Sequence, residues 1–79
     1  MNNYSNIYAQ QIYLLLVPLL GDNMARGILK FQSYKLGKNE ELLSKNDLEK
    51  LADEINKGLV PFLGSDGAGT ISKKIIKIK

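Results

Sequence analysis

Apolar side chains recur along this chain in two helical patterns separated by a short polar stretch. Tyr4, Tyr8, Ile12, Leu15, Leu16 and Leu19 follow three- and four-residue steps, which puts them on one face of a helix from about Tyr4 to Leu20. The same steps join Leu48, Leu51, Ala52, Ile55, Leu59, Phe62 and Leu63. Ser44 is the expected N-cap of this later helix, with Asp47 three residues on as a capping-box acid. Past the first helix, Met24, Ala25, Ile28, Leu29, Phe31, Gln32 and Leu36 predict a second one ending near Gly37. The last segment is harder to read, because glycines precede it and Thr70-Ile71 and Ile75-Ile76 are β-branched. Helix is the expectation there, against a short strand or an irregular tail.

The two patterns match each other. Shifting the chain by 43 residues lays Leu16-Val17-Pro18-Leu19-Leu20-Gly21 over Leu59-Val60-Pro61-Phe62-Leu63-Gly64. From Tyr8/Leu51 to Lys30/Lys73, 10 of 23 pairs are identical, including Ala9/Ala52, Ile12/Ile55, Ala25/Ala68 and Ile28/Ile71. Self-similarity at a fixed spacing is the mark of a repeated structural unit. Each unit predicts a helix ended or kinked by its proline, since proline lacks an N–H and clashes with the preceding turn. Gly21 and Gly64 then stand where a left-handed C-terminal cap belongs, and Asp22 and Ser65 where the next helix would be capped. The expected fold is all-α: a small bundle of two pseudo-repeated helix–corner–helix units, about 4–36 and 44–78, three to four helices in one domain.

Charge divides the chain unevenly. Residues 1–21 carry no charged side chain, residues 40–54 are acidic on balance, and residues 73–79 form a basic tail; the net charge is +3. A helix apolar on every side is normally buried on every side. A 79-residue chain has little with which to bury one. Cysteine and histidine are both absent, so neither disulfides nor thiolate or imidazole metal sites supplement the core. Oligomerisation is the remaining route, and a homodimer its commonest form. Tyr4, Tyr8, Ile12, Leu15, Leu16 and Leu19 are the residues expected at that interface. The longest apolar run, Ile12 to Leu20, is too short to span a membrane, and no basic residue precedes it as a secretory signal would require. A cytoplasmic location is the expectation.

Three constellations invite a chemical reading. Gly64-Ser65-Asp66-Gly67-Ala68-Gly69-Thr70 has P-loop glycine spacing, but Thr70 stands where the phosphate-binding lysine belongs. A flexible interhelical corner explains it better. Glu49 and Asp53 lie one helical turn apart among other carboxylates, but Lys45, Lys50 and Lys57 interleave with them, which describes a solvated, salt-bridged face. The segments 47–55 and 70–74 resemble a helix-turn-helix, but Asn56 to Gly69 is too long a turn for that motif. No nucleophile sits beside a base, so an enzyme is not expected, nor is a cofactor or a metal. The functional expectation is a small non-enzymatic protein–protein interaction or assembly module. The alternative is non-specific nucleic-acid binding through Lys73, Lys74, Lys77 and Lys79, with Arg26, Lys30 and Lys35 in support.

Overall fold

Asn6, not Tyr4, sets where the first helix begins. In the computed structural model, which describes residues 4–78, α1 runs from Ile7 to Leu20. The Asn6 Oδ1 accepts from the N–H groups of Tyr8 and Ala9, both at 3.0 Å, so Tyr4 lies outside the helix that the apolar spacing assigns it to. The Asn6 Nδ2 donates to the carbonyls of Leu43 (2.7 Å) and Glu41 (3.2 Å). The Glu41 carboxylate in turn accepts from the N–H groups of Asn6 and Ser5, at 2.8 and 3.3 Å. One asparagine thus satisfies two donors of the helix start and ties it to a 3-10 turn at Glu40–Leu42.

Pro18 lies within α1, and the helix ends three residues later at Gly21. That glycine has the positive φ predicted for it, but its ψ is extended (φ 84°, ψ 168°), a region only glycine occupies readily and distinct from the left-handed helical cap. The next helix, α2, spans Asp22–Lys35 and begins without a gap. Asp22 is therefore its first helical residue and not its N-cap. The cap position is Gly21, which has no side chain to offer.

The third helix, α3, spans Leu48–Ile76 and follows a 3-10 turn at Lys45–Asp47, where Ser44 and Asp47 form the predicted capping box. The Ser44 N–H donates to Asp47 Oδ2 at 2.9 Å, and Lys38 Nζ donates to the same oxygen at 2.7 Å. Inside α3, Gly64 breaks the helical torsions at φ 77°, ψ 167°, three residues after Pro61. Beyond this kink the chain is helical to Ile76, so the β-branched last segment is helix, as expected. Thr70 accommodates to it by donating its hydroxyl to the Asp66 carbonyl one turn back, at 3.0 Å. The architecture among the described residues is three helices and no strand.

All three helices share one core. Ala9, Ile12, Tyr13 and Leu16 come from α1, and Ala25 and Leu29 from α2. Leu48, Leu51, Ala52, Ile55 and Leu59 come from the first arm of α3, and Ala68, Ile71 and Ile75 from its second arm. Positions 43 residues apart occupy like environments: Ala9 and Ala52, Ile12 and Ile55, Leu16 and Leu59, and Ala25 and Ala68 are all fully buried. At Gln32 and Ile75 both positions are inside, although one is polar. Gly21 and Gly64 differ by only a few degrees in either torsion.

Candidate interaction surface

The six residues expected at an interface part company in the structure. Ile12 and Leu16 are fully buried inside the chain's own core, where no second molecule reaches them. Tyr8 and Leu15 are half-buried at the edges of that core. Leu19 is exposed. Tyr4 folds back from outside the helix so that its ring meets the edge of Tyr13, centroids 5.7 Å apart.

Tyr4 and Tyr13 belong to a latch across the first corner. The Tyr13 hydroxyl donates to Asp22 Oδ1 at 2.5 Å, and Arg26 Nε donates to the same oxygen at 2.8 Å. The guanidinium lies over the rings of both tyrosines, 4.8 Å from the centre of Tyr13 and 5.6 Å from that of Tyr4. The electrostatics agree with the geometry. The bond from Tyr13, and then that from Arg26, holds the Asp22 carboxyl below its ordinary range. The bond to Asp22 pushes the Tyr13 phenol up, with burial adding to it. At the second corner the matching positions are Asn56, Ser65 and Gly69, which make no such latch; Asn56 Oδ1 is buried without a hydrogen-bond donor.

What α1 turns outward is a different set of residues. Ile7, Gln11, Leu14 and Pro18 follow four-, three- and four-residue steps and are all exposed, Ile7 by 58% and Leu14 by 48%. This stripe is uncharged and, apart from Gln11, apolar. The same positions 43 residues on are Lys50, Glu54, Lys57 and Pro61. These charges are well solvated or paired: Glu54 accepts from Lys35 at 2.8 Å, and Lys57 lies 3.3 Å from Asp53 and 3.6 Å from Glu54. Lys35, chiefly through its hydrogen bond, holds the Glu54 carboxyl below its ordinary range.

The basic residues also separate. Arg26 is held in the latch, and Lys35 by Glu54. Lys30, Lys73, Lys74 and Lys77 are exposed and make no ion pair among the described residues; Lys79 lies outside them. Lys73 and Lys74 occupy the last turn of α3, where cations suit the negative end of the helix. The glycine-rich segment 65–70 is helical, so it forms no loop of amides around a phosphate. Among the described residues no group of three or more acidic side chains stands close enough to hold a metal ion, and no helix is long and apolar enough to cross a membrane.

The outward stripe was missed by periodicity because a helix apolar all round has no contrast between its faces. The second half supplies that contrast. Transposed by 43 residues, Lys50, Glu54 and Lys57 mark Ile7, Gln11 and Leu14 as the outward positions. No protein-family model matches the chain, and neither the curated proteins nor the solved structures contain a significant match.

Proposed function

We propose that this protein is a small, non-enzymatic interaction module, made of two copies of one helix–corner–helix unit, that pairs with a second copy of itself through the outer face of α1. The duplication is supported by the shared burial of matched positions and by the common torsions of Gly21 and Gly64. The interaction is carried by one observation: matched outward positions hold Lys50, Glu54 and Lys57 in the second half but Ile7, Gln11 and Leu14 in the first. The second half is thus an internal reference for how this architecture meets water. Against it, the outer face of α1 is that of a surface to be covered. An uncharged face is covered without stranding an ionised group only by another uncharged face. Within this chain α1 itself meets that condition, which favours a two-fold dimer in which α1 packs on α1. A cysteine-free chain fits a cytoplasmic setting. Sedimentation equilibrium over a concentration series tests the proposal. A reversible monomer–dimer equilibrium is expected, and a monomer up to about 1 mM, the weak end of measurable association, overturns it.

A second reading keeps some support from Lys73, Lys74 and Lys77, which are exposed and make no ion pair among the described residues. Three phosphate contacts to duplex DNA give a log–log salt slope of about −3. Retention on nucleic acid with that slope, lost on replacing the three lysines, would favour it; indifference to nucleic acid at low salt removes it.

A further inference from the structure

The two corners share a backbone geometry but are held by different means. Side chains close the first: Asp22 accepts hydrogen bonds from Tyr13 and Arg26 across it, and Asn6 ties the start of α1 to Glu41 and Leu43. At the second, no side-chain hydrogen bond or ion pair among the described residues joins residues 65–78 to the rest of the chain. That arm is held by apolar burial, chiefly of Ala68, Ile71 and Ile75. No loop separates it from the first arm either, since Gly64 alone departs from helical torsions between Leu48 and Ile76. Rotation of this one residue into the helical region would make α3 a single straight helix.

A straight α3 changes which chain can bury the second arm. With the corner closed, Ile76 lines one shallow hollow together with Leu48 and Glu49, so the two ends of α3 lie side by side. Straightening its 29 residues would put those ends about 42 Å apart, at about 1.5 Å per residue. It would also turn the arm's apolar stripe away from the first. Leu59 and Ile75, like Ala52 and Ala68, are separated by 16 residues, about four and a half turns, so their side chains leave a straight helix on nearly opposite sides. Ala68, Ile71 and Ile75 then have no core of their own chain to enter. The surface that fits them is the one they leave, and a second copy opened in the same way presents it. Exchange restores the core contacts of the closed form across two chains.

We infer that Gly64 is a hinge on which residues 65–76 open and exchange with the same arm of a second copy, giving an arm-swapped dimer. This exchange goes beyond the pairing through α1, because it uses the other half of the chain and buries core residues instead of surface ones. Glycine at the hinge sets the balance between the two forms. Its closed torsions cost glycine little, whereas any other residue is strained in them and favours the straight helix.

The test is Gly64→Ala in the full chain, with spin labels on Glu49→Cys and Lys77→Cys, both exposed positions in a chain without cysteine. Labelled chain is diluted into unlabelled chain, so that each dimer reports one intrachain distance. At low concentration the wild type gives a short distance, because the ends of α3 are adjacent. Relief of strain favours the open form by about tenfold or more at each hinge. A swapped dimer has two hinges, so Gly64→Ala raises the dimerisation constant about 100-fold or more and lengthens the distance to about 42 Å. Wild-type chain refolded from urea at about 1 mM, the weak end of association, gives a minor, slowly reverting dimer with the same long distance. A Gly64→Ala chain that stays monomeric, folded or not, overturns the inference. So does a dimer whose label distance stays short, or a refolded wild type with no long-distance fraction. Adding Leu14→Lys to Gly64→Ala leaves the swapped dimer intact; its loss assigns the dimer to α1 and overturns the exchange.

Discussion

Replacing Leu14 by lysine is the sharpest perturbation of the α1 face. Leu14 lies in the middle of the outward stripe, and about half of its side chain is already covered within the chain. Complete burial of a leucine or isoleucine is worth about 1.5–3 kcal/mol, so Ile7 and Leu14, each about half exposed, retain about 1 kcal/mol apiece. Two such residues on each of two chains supply about 4 kcal/mol. Pro18, exposed on the same stripe, and its half-buried flanks Leu15 and Val17 add to this. Lost translational and rotational freedom offsets about 4 kcal/mol or more. The balance is a few kcal/mol, which places the dissociation constant at about 1 mM, the weak end of association. The dimer is therefore expected to be reversible and not obligate.

Two-fold symmetry makes every substitution count twice. Leu14→Lys removes about 1 kcal/mol per chain and brings two ammonium groups to the same interface, so at least about 2 kcal/mol is lost. That weakens association by about 30-fold or more. The thermal midpoint of the monomer stays near its wild-type value, because Leu14 faces away from the core. The reverse substitution at the matched position, Lys57→Leu, gives the second half an apolar outward residue and strengthens self-association. Sedimentation equilibrium measures both variants. An unchanged dimerisation constant for Leu14→Lys refutes the assignment of the face, whatever the wild-type chain does.

Asn6→Ala removes the cap of α1 together with its bonds to Glu41 and Leu43, and urea denaturation should show a loss of about 2 kcal/mol. Gly64→Ala forces a Cβ into a torsion region reserved for glycine and destabilises by about 1–3 kcal/mol. Gly69→Ala, in helix with open space around it, stabilises by about 0.5–1 kcal/mol in the same assay. Gly67→Ala does not share that gain, because its Cβ would come within 3.0 Å of the Leu63 Cβ. Acid should weaken the fold. Asp22 and Glu54 have folded-state pKa values below their ordinary ones, so their contribution is present above the ordinary carboxylate range and lost as pH falls through the folded values. Asp47 acts the same way: burial alone would raise its pKa, but the bonds from Lys38 and Ser44 outweigh it. Urea midpoints should hold steady down to about pH 5 and fall below it, and Asp22→Asn should make the fall shallower. A midpoint that rises on acidification contradicts the roles given to all three carboxylates.

The elements were legible in the sequence wherever a local interaction decides them. The Ser44–Asp47 box is such a case, since cap and acid lie within one turn. So are the positive φ values of Gly21 and Gly64. The start of α1 was misplaced at Tyr4 because apolar spacing continues past the local cap that Asn6 makes with Tyr8 and Ala9, and the bonds that hold Asn6 there reach a turn 35 and more residues away, which no local pattern contains. The latch was invisible for a related reason. Tyr13 meets Asp22 across a corner whose angle is set by the ψ of Gly21, and no spacing rule contains that angle. The outward face of α1 is a third kind of case. Periodicity alone chose Ile12 and Leu16 for an interface, and the fold uses them as core, because in an uncharged helix core and interface residues are the same kinds of residue. Their separation is nevertheless written in the chain, as a difference between its halves: where two matched helices share a buried face, the charges of one label the outward side of the other. In this chain the outward departure of one half from the other falls on α1 and α2 together, where Ile7, Leu14, Phe31 and Tyr34 stand against Lys50, Lys57, Lys74 and Lys77.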